Sequence, residues 1–270
     1  DNAENIENLK GGRNYYLSML GGKSKEWINI YVHGAYGFVK HGLPVYGESY
    51  DDDRNSSDDI NINPAGKIYY GIDASGRHPA VVFLQRTMRG QWQAVHELCV
   101  QDQIGMGAKS FAKLLVNEIN LMFPDNEIMD PWGDPAGDWK TQNDENTYFD
   151  ILRSEGIHVK SSPALRIPDR VETVRHILES NIDKSPKLVV SRKCKILRRG
   201  FNGGYHYRKV STSSGQGERF DPKPEKNRFS DVHDALQYVL TGAGEMREMK
   251  RGQGRERQMV VAKTGSNVFT

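Results

Sequence analysis

Apolar residues recur at helical spacing near the C-terminal end of the chain. The apolar positions fall at i, i+3, i+4, i+7 and i+8 and are Val232, Ala235, Leu236, Val239 and Leu240. This spacing is typical of one stripe buried along a helix. The pattern therefore predicts that residues 227–239 belong to a core helix of the protein.

Two acidic residues of that helix lie off the apolar stripe. Asp231 and Asp234 are one i,i+3 step apart, so they share a face of the helix. Two carboxylates about 4 Å apart repel by roughly 4 kcal/mol at an effective dielectric near 20. Such a pair either points into water, as a solvated acidic flank, or has cations nearby, and the helix alone leaves both interpretations open. His233 lies about 160° of helical rotation from Asp231, nearer the opposite flank.

The middle of the chain alternates between strand and helix patterns. Three β-rich runs, 68–73, 80–84 and 91–100, are joined by short connections that contain glycine, which favours an antiparallel meander. The pattern then predicts helix 111–122, strand 127–134, helix 147–155, strand 157–159, helix 168–182 and strand 187–190. Alternating helices and strands favour parallel pairing. The predicted fold class is therefore α/β, a mixed β-sheet with helices on its faces.

Net charge and its distribution limit the classes of partner. The chain of 270 residues is 37% hydrophobic and has a net charge of +2, so a nucleic-acid surface would need clustered basic residues. Residues 192–209 contain such a cluster, interleaved with Tyr205 and Tyr207. Its basic members are Arg192, Lys193, Lys195, Arg198, Arg199, Arg208 and Lys209. The cluster is either a surface that contacts a nucleic-acid backbone or a solvated hairpin.

Cysteine usage and hydropathy argue against several classes of protein. Cys99 and Cys194 are far apart and form no C-x-x-C pair, which argues against a disulfide framework and a structural zinc site. No apolar run approaches the ~18 residues that span a bilayer, and no secretory signal pattern opens the chain. We therefore expect a protein that acts inside cells, without a membrane partner.

Acidic residues also stand at the ends of two predicted strands. Asp73 ends the first β-rich run and Asp134 ends the strand at 127–134, each close to glycine or proline. With Asp234, these carboxylates could meet at one end of the sheet and hold two divalent cations about 3.5 to 4 Å apart. Each strand-end aspartate could instead cap a turn. Glu97, on the third run, could be a further ligand or an outward-facing strand residue.

The order strand acid, strand acid, helix acid resembles that of the ribonuclease H-like nucleases. A closer resemblance is to the C-terminal nuclease domain of the large terminase subunit of tailed bacteriophages, the DNA-packaging motor protein. It extends from about residue 27 to residue 240 and rests on short motifs in family order. These motifs are W-I-N-I-Y-V-H-G-A-Y-G, G-L-P-V-Y, G-I-D-A-S-G-R-H-P-A-V-V-F, G-D-P-A-G, R-V-E-T-V-R-H-I-L, C-K-I-L-R-R-G-F-N-G-G-Y-H-Y and K-N-R-F-S-D-V-H-D-A-L-Q-Y.

The resemblance implies a ribonuclease H-like mixed β-sheet flanked by helices on both faces. It also implies that Asp73, Asp134 and Asp234 are catalytic and bind two ions, Mg²⁺ or Mn²⁺. The closing family motif often reads S-H-x-x-D-A-L, whereas this chain has Asp231 at the position of that histidine. Asp231 is therefore a further candidate metal ligand, and His233 is the alternative residue for that role.

Activity, partners and location are implied by the same resemblance. It implies a metal-dependent endonuclease that cuts concatemeric viral double-stranded DNA during genome packaging. The portal and the small terminase subunit would be partners of the full-length protein, and the host cytoplasm during phage assembly its location. Two other classes stay open: a structure-selective nuclease or resolvase of the same fold, and a non-catalytic module that binds DNA or docks to a capsid.

Three segments are predicted along the chain. Residues 1–66 are expected to be the remnant of an upstream ATPase domain and a linker, residues 67–243 the nuclease domain, and residues 244–270 a flexible basic tail. The Gly-Lys-Ser at 22–24 lacks the glycine that a phosphate loop requires five residues earlier, where Leu17 stands. We therefore expect no ATP site in this fragment.

Overall fold

A computed structural model of the chain describes residues 42–73, 78–100, 106–139, 146–210 and 219–252. These residues lie in the second of two compact units, Asp1–Lys40 and His41–Thr270. The motif at 27–37 and the Gly-Lys-Ser at 22–24 lie outside the described residues.

Short strands and helices alternate through the described unit. Its strands are β1 (Gly42–Pro44), β2 (Ser56–Ser57), β3 (Ile68–Asp73), β4 (Ala80–Arg86), β5 (Trp92–Cys99), β6 (Trp132–Gly133), β7 (Lys160–Ser161), β8 (Asn181–Ile182), β9 (Ser185–Pro186), β10 (Leu188–Ser191), β11 (His206–Val210) and β12 (Arg219–Pro224). Its α-helices are α1 (Asp52–Asn55), α2 (Ala108–Met122), α3 (Tyr148–Ser154), α4 (Ile167–Glu179), α5 (Lys195–Arg199) and α6 (Ser230–Gly242). A 3₁₀ helix covers Pro135–Asp138, and a π-helical turn covers Gly200–Gly204.

The centre of the unit is a seven-stranded mixed sheet with the order β2-β10-β5-β4-β3-β6-β7. The strands β3, β4 and β5 form the predicted antiparallel meander. The strands β6 and β7 extend the sheet beside β3 in parallel, and β10 and β2 extend it beside β5 in parallel. Strands β1, β11 and β12 form a separate three-stranded sheet, and β8 pairs with β9. The predicted mixed sheet is therefore confirmed.

Helices cover both faces of the seven-stranded sheet. Because side chains alternate along a strand, Tyr70 and Ile72 of β3 lie on one face, where they pack in one core with Phe111 and Leu115 of α2. The opposite face of β3 contacts α6. There a Cβ added at Gly71 would lie 2.0 Å from the carbonyl oxygen of Ala235, a distance too short for any side chain.

The close approach of α6 to β3 brings two predicted site residues together. Only glycine at position 71 lets the backbones of the strand and the helix touch. Asp73 lies two residues further along the strand and therefore on the same face as Gly71. Asp234 directly precedes Ala235 in the helix. The packing of one glycine thus places a strand carboxylate beside a helix carboxylate.

Several predicted element boundaries differ from those observed. The strand expected at 127–134 is reduced to an isolated bridge between Ile128 and Ile68 and to β6, with Pro131, which has no N–H to donate, between them. It ends at Gly133 because Asp134 leads into the 3₁₀ helix that begins at Pro135. The strand expected at 157–159 is observed as β7, which begins at Lys160, directly after the predicted segment. The helix expected at 168–182 ends at Glu179, where the chain enters the β8–β9 hairpin.

The observed limits of the folded unit differ from the predicted segments at both ends. Residues 42–66 belong to the same unit as the rest, because β2 pairs with β10 in the central sheet and β1 pairs with β11. Near the C-terminus, Glu245 is buried and accepts hydrogen bonds from Trp92 Nε1 at 2.7 Å and Lys187 Nζ at 2.6 Å. Residues 244–252 therefore pack on the domain, whereas 253–270 lie outside the described residues. Within the described part of the chain, no helix is long and apolar enough to cross a membrane.

Candidate active site

The register of two parallel strands places Asp73 and Asp134 at the same edge of the sheet. Ile72 of β3 pairs with Gly133 of β6. Asp73 and Asp134 are the next residues along each strand, and parallel strands end in the same direction. Asp73 is fully buried, whereas Asp134 is half-buried. The two strand-end carboxylates therefore border one region of the domain.

Helix α6 contributes a second pair of acids to this region. Asp231 and Asp234 are both buried, so the interpretation of a solvated acidic flank is wrong. Burial raises the pKa of Asp231, and the nearby ammonium of Lys226 opposes that rise. The hydroxyl of Ser230 donates a hydrogen bond to Asp231 Oδ1 at 3.1 Å. Two buried carboxylates on one helix need cationic partners, and the structure supplies them from outside the helix.

Lys226 is the cation at the centre of the acid cluster. Its ammonium Nζ lies 2.6 Å from Asp234 Oδ2, 3.5 Å from Asp231 Oδ1 and 3.7 Å from Asp73 Oδ2. The partial loss of hydration lowers the pKa of Lys226, but the surrounding carboxylates outweigh this effect and hold the pKa above its ordinary value. The side chain is therefore charged at neutral pH. We refer to Asp73, Asp231 and Asp234 as the acid cluster.

Arg170 of α4 holds the other side of Asp234. Its guanidinium Nη2 donates to Asp234 Oδ1 at 3.3 Å, and its Nε donates to Gln237 Oε1 at 3.2 Å. The guanidinium also stacks over the ring of Tyr238, 4.6 Å from the ring centroid. Because Arg170 engages Oδ1 and Lys226 engages Oδ2, the Asp234 carboxylate is fixed in orientation between two cations.

Asp134 is held by a different set of partners. Tyr238, one turn after Asp234 on α6, donates its hydroxyl to Asp134 Oδ2 at 2.9 Å. The backbone N–H of Ala136 donates to Asp134 Oδ1 at 2.9 Å, so this aspartate also caps the 3₁₀ helix. Asp134 therefore both caps the 3₁₀ helix and lies beside the acid cluster.

Glu97 and His233 both have hydrogen-bond partners in α5. Glu97 accepts the backbone N–H groups of Ile196 at 2.7 Å and Leu197 at 2.8 Å, at the start of α5. Burial raises the pKa of Glu97, and these N–H donors oppose the rise. His233 is buried against Tyr205, its ring stacked at a centroid distance of 4.9 Å, and its Nε2 contacts Leu197 O at 3.2 Å. Burial lowers the pKa of His233 to about 3, so the ring is neutral.

The basic residues of the cluster at 192–209 differ in their surroundings. Arg198 forms an ion pair with Asp52, and Arg192 forms one with Asp58 at 2.9 Å. Arg199 is half-buried, and Tyr205 is buried in the aromatic core. The exposed basic members are Lys193, Lys195, Arg208 and Lys209, and the guanidinium of Arg208 also lies 3.9 Å from Asp221 Oδ2. The segment is thus not one solvated hairpin: it forms α5, the π-helical turn and β11, and two of its arginines stabilise the domain.

Sequence patterns did not single out three residues that organise the site. Lys226 and Tyr238 stand within the closing motif, and Arg170 opens the R-V-E-T-V-R-H-I-L motif. An arginine or lysine within a helix or next to one is typical of a solvated surface. A basic residue a few positions before two acids on one helix face is a signal that could have indicated Lys226.

The donor set fits a hard divalent cation by its chemistry. Carboxylate oxygens are the ligands that Mg²⁺ and Mn²⁺ prefer, and three carboxylates already surround one cationic atom, Lys226 Nζ. In the part of the chain that the structure describes, no three His, Cys, Asp or Glu side chains are arranged to hold a metal ion as they stand. The side chains that face a metal would therefore have to rearrange around it.

Comparisons with known proteins bear on the fold. No family model matches the chain, and no curated protein matches it significantly. The structure of a large terminase from a thermophilic bacteriophage matches with a TM-score of 0.55 and 16% identity, over 86% of this chain and 52% of the terminase. The complex of that terminase with ADP matches with a TM-score of 0.55 and 17% identity, over 88% and 52% of the two chains.

A weaker match is RuvC of T. thermophilus in complex with a Holliday junction substrate, with a TM-score of 0.33 and 12% identity. This TM-score is too low to establish a shared fold. The chain spans about half the length of the large terminases that it matches. At these identities the likeness concerns the fold alone. The seven-stranded mixed sheet flanked by helices is therefore part of a fold similar to that of a phage large terminase.

Proposed function

We propose that this chain is a metal-dependent endonuclease that hydrolyses phosphodiester bonds of double-stranded DNA. The observation that carries the proposal is the acid cluster, in which carboxylates of β3 and α6 meet around a single cationic atom. Asp134 lies at the same sheet edge and is linked to α6 through Tyr238. The terminase-like fold supports a nuclease over other hydrolases.

The proposed reaction assigns distinct tasks to the side chains. Mg²⁺ or Mn²⁺, when bound, would activate water and stabilise the leaving oxygen of the phosphodiester, for which two ions are the expected number. Asp73, Asp134 and Asp234 would hold the ions, with Asp231 as a further ligand. Arg170 would orient Asp234 through Oδ1, and Tyr238 would orient Asp134 through Oδ2. No side chain needs to act as the nucleophile.

Nicking of supercoiled plasmid tests this proposal. We expect relaxed and then linear DNA with Mn²⁺ or Mg²⁺, and neither product with EDTA. Absence of cleavage at any metal concentration would favour a DNA-binding or capsid-docking module. Faster cleavage of branched than of linear duplex DNA would favour a structure-selective nuclease or resolvase.

We place this activity in viral genome packaging because of the likeness to a phage large terminase. The substrate would then be concatemeric phage DNA in the host cytoplasm, and the portal and small terminase subunit would be partners of the full-length protein. Retention of the purified portal by the chain, measured by co-sedimentation, would test the partner assignment.

Asp231 and His233, both on α6, should differ in their effect on metal binding. We expect Asp231→Ala to weaken Mn²⁺ affinity by roughly 10- to 100-fold, the usual cost of losing a group beside the ligands. His233→Ala should leave the affinity unchanged, because that ring is buried among aromatic residues. A Mn²⁺ titration of the nicking rate measures both midpoints. A shift for His233→Ala without one for Asp231→Ala would assign the role to His233.

The exposed basic residues of β11 are the proposed DNA contacts of the cluster. Because phosphate contacts release counterions, log affinity should fall linearly with log salt, by about 0.9 per contact on duplex DNA. The double change Arg208→Glu and Lys209→Glu should flatten that slope by up to about 2. Lys113→Glu, an exposed lysine of α2, is the matched control and should leave the slope less affected. Fluorescence anisotropy at several salt concentrations measures it, and an unchanged slope would place the DNA elsewhere.

A further inference from the structure

Lys226 lies where a cation bound by the acid cluster would lie. One ammonium is within 3.7 Å of carboxylate oxygens from three residues, one on β3 and two on α6. Three carboxylates this close repel one another strongly unless positive charge lies between them. The side chain of Lys226 therefore neutralises, within the chain itself, the charge that a divalent cation would neutralise.

The residues on either side of Lys226 are both anchored by hydrogen bonds. The N–H of Glu225 donates to His206 O at 2.8 Å, and the side-chain amide of Asn227 donates to Gly204 O at 3.0 Å. The Lys226 side chain itself keeps 64% of its surface exposed. It therefore reaches the cluster from the solvent side, and it can withdraw without breaking the core or moving its own backbone.

We propose that Lys226 is an internal counter-cation that competes with divalent metal for the acid cluster, so that ammonium-bound and metal-bound clusters are alternative states of the domain. This inference rests on the proposed function, in that it takes the acid cluster to be the metal site. Lys226 would keep the acids assembled without metal and would lower the apparent affinity for it. Displacement of the ammonium is the rearrangement that metal binding requires.

Calorimetric titration with Mn²⁺ in the absence of DNA tests the competition. Lys226→Met and Lys226→Gln remove the ammonium and keep much of the side-chain length, and Lys223→Met removes an exposed lysine three residues earlier as a matched control. We expect Mn²⁺ to bind both Lys226 variants at least about tenfold more tightly, since a positive charge a few Å from a bound cation repels it. The control should bind Mn²⁺ as the unaltered chain does.

Thermal unfolding gives a second readout that does not depend on activity. In EDTA, the Lys226 variants should unfold at a lower temperature than the unaltered chain, because the acid cluster has lost its counter-charge. Mn²⁺ should raise their unfolding temperature by more than it raises that of the unaltered chain, because tighter binding to the folded state stabilises it more.

Lysine labelling of the unaltered chain does not require any variant to fold. Acetylation measured by mass spectrometry should be faster at Lys226 with Mn²⁺ than with EDTA, and equal at Lys223 in both. Equal labelling at Lys226, or Mn²⁺ affinity that is unchanged or weaker in both variants, would overturn the competition. Absence of DNA cleavage alongside tighter Mn²⁺ binding by the variants would instead refute the proposed nuclease and leave the competition standing.

Discussion

Asp234→Asn should reduce metal-dependent DNA cleavage by about a thousandfold or more. The substitution keeps the shape of the side chain but removes the charge that lies between Lys226 and Arg170. A neutral amide binds a hard cation more weakly than a carboxylate does. Plasmid nicking over a range of Mn²⁺ concentrations measures the loss, which high metal should not restore.

The other proposed ligands should behave as one unit with Asp234. Asp73→Asn and Asp134→Ala should each have a similar effect, and combining either with Asp234→Asn should cost little more, because residues that act together are strongly non-additive. Asp130→Asn is the control, since Asp130 precedes Asp134 by four residues but pairs with Lys160 on the surface at 3.0 Å. Cleavage at the unaltered rate by Asp134→Ala would remove Asp134 from the site.

Arg170→Ala should destabilise the domain by roughly 3 to 5 kcal/mol, the range found when one partner of a buried ion pair is removed. Arg170 is only 5% exposed, and its loss would leave the buried Oδ1 of Asp234 and the amide of Gln237 without this donor. The stacking contact with Tyr238 would also disappear. Urea unfolding followed by circular dichroism measures the change in the free energy of unfolding.

Arg166→Ala is the matched control for that experiment. Arg166 is four residues earlier, 78% exposed, and pairs with Asp169 at 3.0 Å on the surface. Exposed ion pairs contribute about 0 to 1 kcal/mol, so this variant should unfold almost as the unaltered chain does. Equal losses for the two arginines would mean that Arg170 has no special role in holding Asp234.

Elements with a local pattern could be predicted well. The three β-rich runs appear as β3, β4 and β5, and the apolar stripe from Val232 to Leu240 lies within α6. Periodicity is a property of neighbouring residues, so it survives without knowledge of the partners. Boundaries were less reliable where Pro135 or a tight hairpin after Glu179 ended an element early.

The candidate site could be predicted only in part. The helical spacing of Asp231 and Asp234 correctly predicted a shared face, but not whether that face was solvated or buried. Burial of a charged face depends on what packs against it, here β3 through Gly71 and α4 through Arg170. The sequence likewise did not distinguish the paired basic residues of 192–209 from the exposed ones. Arg198 is paired with Asp52, a residue 146 positions away along the chain.

By itself, the sequence determined the mixed α/β architecture, the strand-end position of Asp73 and the common face of the two α6 acids, because these depend on alternation and helical periodicity. Only the tertiary structure decided that Lys226 lies among Asp73, Asp231 and Asp234, that Arg170 is buried and that Glu97 caps α5. Each of these contacts joins segments that are distant in sequence or separated by a turn. Their geometry is set by strand register and helix packing, which no local pattern encodes.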